Sequence, residues 1–449
     1  MKVLLLNPCW DYNPNKKGPV YNRKFPPLEL ANIAALLERN NIEVSLHDAN
    51  LDNLSPDKVA EKAIGFDKIL ITSSTLDKWI CPNINIDIFI QTAKKISSFN
   101  NNVYLLGAHP TVFPKKILSL TGAKAAIIGE PELIASELVL KDDLSKTKGI
   151  AYFNSAGIYN ENDKVGLLDL NNMPIPSFHL LKRGAYYYEV LGNDMMIFEA
   201  SRGCPYPCIY CFKSMYSHSV RKKAASQIIN EIKQAISTNN IKTAYFMDLE
   251  FTIAKKNVIQ LCDLLISNST PIKWCCQTRT DAVDKNLLEK MKQAGCTLIH
   301  YGVETGSERI MKLIKKNITK DKIIKGIKLT KEVGIDTACF FMFGFPTETK
   351  QEMDETISFA KELNPTYASF HIAIPYPNTE LYETLKTKEE DSFPTHFADE
   401  FTLEELFKIE RKAFLSYYIR SSYIIDRLLN SNLPSLWKQF KIFLWYIKK

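Results

Sequence analysis

The 449-residue chain lacks any apolar run long enough to span a membrane. Its opening stretch, Met-Lys-Val-Leu-Leu-Leu-Asn-Pro-Cys-Trp, is far too short for a secretory signal and reads as a first β-strand. A disulfide framework is missing as well. Of ten cysteines, three are clustered and the others are scattered singly, apart from Cys275-Cys276. Nor is there a strong charge of one sign: the formal +7 is mild and spread along the chain, so no nucleic-acid partner is implied. A reducing cytoplasm is the expected compartment. What remains is ordinary for a globular protein, with 45% hydrophobic and 24% charged residues and length for two or three domains.

The clustered cysteines are Cys204, Cys208 and Cys211, in Ser-Arg-Gly-Cys-Pro-Tyr-Pro-Cys-Ile-Tyr-Cys-Phe. Their C-x3-C-x2-C spacing offers three thiolates from one short loop and no nearby fourth. Iron–sulfur cubes usually take four cysteines, so three would leave one iron open to a substrate or cofactor. Zinc is the competing reading. A structural zinc site wants four closed ligands, and His218, seven residues after Cys211, is the available fourth.

Two α/β alternations flank this loop. In residues 1–140 short apolar strands (3–6, 44–47, 69–73, 103–107 and 125–128) alternate with amphipathic helices, which predicts a doubly wound parallel sheet with ligands at the strand ends. Residues 141–191 form a mixed linker containing one further strand, 149–153. From Met195 six more β-α units follow, predicting a partial (β/α) barrel over 192–385. Ser226 reads as the N-cap of its first helix. Residues 386–449 read as a helical C-terminal region, with Glu389-Glu390-Asp391 a solvated turn. Its last segment places Leu436, Phe440, Phe443 and Ile447 at helical spacing beside lysines, a pattern read first as docking on the barrel, with lying at a membrane surface the alternative.

The cysteine loop, with Tyr210, Phe212 and the preceding Arg-Gly, resembles the radical S-adenosylmethionine (radical SAM) superfamily. Later segments agree in order: Asp248-Leu-Glu250-Phe-Thr252, an arginine at Arg279, Tyr301-Gly-Val-Glu304, Gly344-Phe-Pro346-Thr-Glu348-Thr349 and Pro375-Tyr-Pro-Asn-Thr379. The first domain is similar to the cobalamin-binding domain that precedes many such modules. Pro26-Pro-Leu-Glu-Leu-Ala31, Ser74-x-Leu76, Gly107-Ala-His109-Pro-Thr111 and Gly129-Glu130-Pro-Glu132 carry that likeness. The Asp-x-His-x-x-Gly signature that supplies an axial histidine to cobalt is absent from the loop after the first strand (residues 7–14). Cobalamin held there would lack histidine ligation; a flavodoxin-like sheet without cofactor is the plainer alternative.

The resemblance implies roles. Cys204, Cys208 and Cys211 would ligate a 4Fe-4S cluster. Tyr210, Arg279, Glu304, Gly344 and Pro346 would meet SAM, unless Arg279 and Glu304 only close the barrel mouth as a charge pair. Ser74, Leu76, Gly107, His109, Thr111, Gly129 and Glu130 would meet cobalamin. The implied activity is reductive cleavage of SAM to a 5′-deoxyadenosyl radical, used for cobalamin-dependent methylation of an unactivated carbon. Alternatives are radical cyclisation or rearrangement with the same cofactors, or a corrinoid-binding protein without activity. The implied partners are a small-molecule, natural-product or lipid substrate and an electron donor such as flavodoxin or ferredoxin. The remaining cysteines read as packing.

Overall fold

The computed structural model describes residues 1–10, 24–386, 393–397, 400–430 and 437. The expectations on residues 11–14, on Glu389-Glu390-Asp391 and on Leu436, Phe440, Phe443 and Ile447 therefore lie outside the described residues.

The first sheet holds seven strands, side by side in the order Glu43–Asp48, Lys2–Asn7, Lys68–Thr72, Val103–Leu106, Ala125–Ile127, Ile150–Phe153 and Tyr159–Glu161. Strands β1 (Lys2–Asn7), β2 (Glu43–Asp48), β3 (Lys68–Thr72), β4 (Val103–Leu106) and β5 (Ala125–Ile127) run parallel. Three of these, β3, β4 and β5, are buried along their whole length, which explains their unbroken apolar runs. Helices cover both faces. Leu28–Glu38 and Glu132–Lys141 pack on one, while Pro56–Lys62, Asp87–Ser97 and Pro114–Thr121 pack on the other. The strand expected at 149–153 is β6 (Ile150–Phe153). It pairs antiparallel with β5 and with β7 (Tyr159–Glu161), so this hairpin extends the first sheet.

A two-stranded hairpin, β8 (Tyr187–Tyr188) with β9 (Gly192–Asn193), leads into the second sheet. That sheet runs in chain order through β10 (Met195–Phe198), β13 (Thr243–Phe246), β14 (Lys273–Thr278), β15 (Cys296–Glu304), β16 (Asp336–Phe343) and β17 (Tyr367–Ile372). Every neighbouring pair is parallel and helices intervene, giving the open six-stranded barrel. A short ribbon of β11 (Ser201–Arg202) and β12 (Arg221–Lys222) closes the base of the cysteine loop.

Aromatic side chains stack across the barrel strands. Tyr188, Tyr245, His300 and Phe340 follow one another at centroid distances of 5.2–5.7 Å for the three consecutive pairs. The first barrel helix begins at Ala225, placing Ser226 inside its first turn. Its N-cap residue, Ala224, has no capping side chain; the Asn171 side chain accepts from the Ala224 amide (2.8 Å). The helix Leu403–Tyr418 packs against β17. Leu406 is fully buried there, and the Tyr418 hydroxyl donates to the Ala368 carbonyl (2.7 Å).

Candidate active site

The cysteine loop is held from both ends. Gly203 has φ +99°, and a Cβ there would lie 2.2 Å from the Ser219 carbonyl oxygen, so only glycine lets the two sides of the ribbon approach. Asp248 fixes the entry: its carboxylate accepts from the Ala200 amide (3.0 Å) and the Ser201 hydroxyl (2.6 Å). Lys213 folds back beneath the loop to donate to the Cys204 and Tyr206 carbonyls. Cys204, Cys208 and Cys211 are free thiols. Burial pushes Cys204 up and Cys211 up to about 12, so metal uptake must displace thiol protons.

Among the described residues no group of three or more His, Cys, Asp or Glu converges on a single ion position. Each thiolate of a cube takes a different iron, so three thiols from one loop need not converge on a single ion position. His218, the candidate fourth zinc ligand, instead faces the Lys213 ammonium at 3.4 Å. The donor set fits a cube bound through three thiolates.

Beside the loop, the barrel strand ends gather a buried polar group. Lys316 donates to Glu304 at 2.9 Å, with both side chains about 8% exposed, and lies 3.4 Å from the Tyr210 hydroxyl. Glu304 sits at φ +71° beyond a register shift in β15, which turns its carboxylate back over Gly302. A Cβ at Gly302 would come within 2.3 Å of that carboxylate. Arg279 joins through the Lys316 carbonyl (2.9 Å), but its fork is occupied by Asp281 (2.8 and 3.0 Å) and its face lies over Tyr206 at 4.1 Å. Gly344 and Pro346 occupy the turn after β16. There the Gly344 and Phe345 amides both donate to Glu348 (2.7 and 3.0 Å), and Phe345 lies 5.7 Å from the Tyr210 ring.

The structure thus brings Tyr210, Glu304 and Lys316 together, ties Arg279 to them through backbone, and places Gly344 and Pro346 one ring away. Sequence reasoning missed Lys316, which stands in an ordinary basic run; only its burial marks it. It also missed the framework roles of two carboxyls. Burial raises Glu348 to about 7, although two amides favour its charged form. Burial likewise raises Glu250 to about 7 against hydrogen bonds from Thr278 and Thr252. Asp248 braces the loop.

The loops of the first sheet meet the cysteine loop across a cavity of about 710 Å³. Thr111, Gly129 and Glu130 form one wall, and Cys208, Cys211 and Met215 form the other. The other four expected cobalamin contacts stand behind that wall. Ser74 accepts from the Ala108 amide (2.8 Å), and Leu76 donates its amide to Glu29 (2.9 Å). At Gly107 (φ +104°) a Cβ would meet both Ser73 and Ser74 hydroxyls at 2.8 Å. His109 is fully buried between the Ser73 hydroxyl (3.1 Å) and the Asn83 carbonyl (2.8 Å). Burial lowers it to about 4, leaving a neutral loop histidine.

A buried ion network joins the two walls. Arg202, two residues before Cys204, grips Glu199 from its own strand end (2.7 and 2.8 Å) and Glu132 from the first domain (2.9 and 3.3 Å). Arg221 takes Glu130, and Trp79 lies under the Arg202 guanidinium at 5.2 Å. Glu130 therefore contributes to the cavity wall while committed to arginine.

Residues 198–360 match the family model described as the Radical SAM superfamily. This stretch is a radical SAM domain. Over 450 aligned residues the chain is 29% identical to an uncharacterized methyltransferase of Pyrococcus horikoshii, covering 95% of this chain and 94% of that one. It is 26% identical over 407 residues to an anaerobic magnesium-protoporphyrin IX monomethyl ester cyclase of Rubrivivax gelatinosus, covering 87% and 71% respectively. Among solved structures, the cobalamin-dependent S-adenosylmethionine radical enzyme OxsB superposes with a TM-score of 0.74 at 17% identity, over 98% of this chain and 70% of that one. The radical S-adenosylmethionine methyltransferase TsrM from Kitasatospora setae gives 0.68 at 15% identity, over 85% and 73%. The shared fold is a doubly wound sheet followed by the radical SAM barrel.

Proposed function

We propose that the chain is a cobalamin-dependent radical SAM enzyme that methylates an unactivated carbon of a small molecule. The observation that carries this reading is the cavity, whose walls are a cobalamin-type loop set on one side and two cluster cysteines on the other. When bound, the cluster supplies an electron to cleave SAM into an adenosyl radical, and cobalamin supplies a methyl group.

The chain's own residues do the positioning. Cys204, Cys208 and Cys211 would hold a 4Fe-4S cluster through three thiolates, which would leave one iron open to SAM. Lys316 and Glu304 present opposite charges to the polar methionine and ribose groups, with Arg279 behind them. Tyr210 and the Gly344–Pro346 turn form a flat apolar edge for adenine. Thr111, Gly129 and Glu130 face the corrin side, with Ser74, Leu76, Gly107 and His109 setting their backbone.

The proposed domains are a cobalamin-binding-like unit from residue 1, a connection through 191, the barrel over 192–385 and a helical region beyond. A reducing cytoplasm with flavodoxin or ferredoxin as electron donor suits such a cluster. No described helix is long and apolar enough to cross a membrane.

Cobalt per chain after anaerobic reconstitution with iron, sulfide and hydroxocobalamin is the deciding measurement. About one cobalt per chain, with label from methyl-deuterated SAM appearing in a product, supports methylation. Cobalt-free protein that still yields 5′-deoxyadenosine would remove cobalamin from the reading. A second reading, ring formation, is favoured by the Rubrivivax gelatinosus cyclase, whose likeness covers 87% of this chain. It predicts 5′-deoxyadenosine without label transfer. A chain that binds corrinoid but never cleaves SAM would be a binding protein. Cys208→Ala is expected to abolish SAM cleavage, read as 5′-deoxyadenosine by liquid chromatography.

A further inference from the structure

Among the described residues, the last helix, Ser421–Asn430, packs on the barrel through one side. Toward the barrel, Tyr423 is 8% exposed and donates to the Thr366 carbonyl (3.1 Å), while the Arg427 guanidinium lies 5.3 Å from the Tyr367 ring. Away from it stand Ile424, Ile425, Leu428 and Leu429, at 43, 55, 62 and 77% exposure. Their i, i+1, i+4, i+5 spacing makes them one stripe. Ile419 (54%) precedes it and Trp437 (58%) follows. Apolar patches of this kind on a folded chain mark a contact surface.

Charge identifies the contact. From Ile419 to Lys449 the sequence holds six basic residues (Arg420, Arg427, Lys438, Lys441, Lys448, Lys449) against one acidic, Asp426. The whole chain carries only +7, so most of its excess positive charge belongs to this end. Trp437, Trp445 and Tyr446 accompany it. An apolar stripe in a stretch of chain whose sequence is rich in lysine, Trp and Tyr is suited to the headgroup layer of an anionic bilayer. A second copy fits less well, because a two-fold contact would press two cationic ends together.

We propose that this end of the chain docks the protein peripherally on an anionic lipid surface. The inference is independent of the reaction proposed above, since none of the stripe residues lines the cavity. Its test is flotation of the full-length protein with phosphatidylcholine vesicles, with and without phosphatidylglycerol. The bound fraction is expected to rise with the anionic lipid and to fall as salt goes from about 0.1 to about 0.5 M. Ile425→Glu with Leu429→Glu is expected to weaken partitioning roughly tenfold or more. Replacing the four lysines after residue 430 by glutamine should remove the preference for anionic lipid. Unchanged iron content and circular dichroism in both variants show that folding is intact. Equal binding to both vesicle types, or undiminished binding of the double glutamate variant, overturns the proposal. So does a dimer in light scattering that the same two glutamates dissociate, which would assign the stripe to self-association.

Discussion

Replacing Arg202 by methionine tests whether the two halves are locked by charge. The guanidinium is fully buried; it lies 3.5 Å from Glu130, which Arg221 also holds, and its two hydrogen-bonded carboxylates are Glu132 at 0% and Glu199 at 2% exposure. Methionine fills the volume but strands both. Breaking a buried pair typically costs about 3–5 kcal/mol, because the remaining charge has no water. Protonation sets a ceiling. A glutamate of ordinary pKa takes a proton at pH 7 for about 3.7 kcal/mol, so two relieve the burial for roughly 7. The expected loss is therefore about 4–7 kcal/mol at pH 7, comparable to the whole stability of many domains. At pH 5.5 each proton costs only about 1.6 kcal/mol, and the loss should shrink to about 2–3. Anaerobic urea unfolding of the apo-protein at both pH values measures this, with iron uptake as a second reading because Arg202 lies two residues before Cys204. Adding Glu132→Gln and Glu199→Gln to the variant should restore most of the stability at pH 7. A loss under about 1 kcal/mol, or one that does not change with pH, would refute the charge argument.

Gly107→Ala is expected to cost about 2–3 kcal/mol in the same assay, from its positive φ and from a Cβ forced against the Ser73 and Ser74 hydroxyls. Glu348→Gln tests the raised carboxyl. The folded group keeps its proton to about pH 7 where the unfolded one loses it near 4.5, so wild-type stability should fall as pH rises through that window, by up to about 3 kcal/mol. Glutamine should flatten this slope between pH 5 and 8, and an unchanged slope would assign it elsewhere. Lys316→Met leaves the Glu304 carboxylate buried without its partner and removes the contact to Tyr210. SAM binding followed by equilibrium dialysis should weaken at least about tenfold, with iron content unchanged.

Strand ends and motif order were legible because each leaves a one-dimensional trace. Apolar runs bounded by glycine mark buried parallel strands, and three cysteines within eight residues must share a loop whatever the fold around them. What stayed hidden was pairing at a distance. Glu130 sits in a turn whose sequence suggests a cofactor contact, yet its partner Arg221 is 91 residues away, and no local pattern announces that. Lys316 is written like its neighbour Lys315, but one is buried against Glu304 and the other reaches solvent to pair with Glu380. The β6–β7 hairpin joined the first sheet because β5 had an open edge, a property of the sheet rather than of residues 150–161. His109 shows the same limit from the other side. A histidine in a ligand-binding loop invites a ligand's role, and only the Asn83 carbonyl and Ser73 hydroxyl, both supplied by other segments, reveal it as a buried neutral strut. Residues that act through neighbours close in sequence can be read from sequence; those completed by a distant segment, as Glu130, Lys316 and His109 are, need the fold.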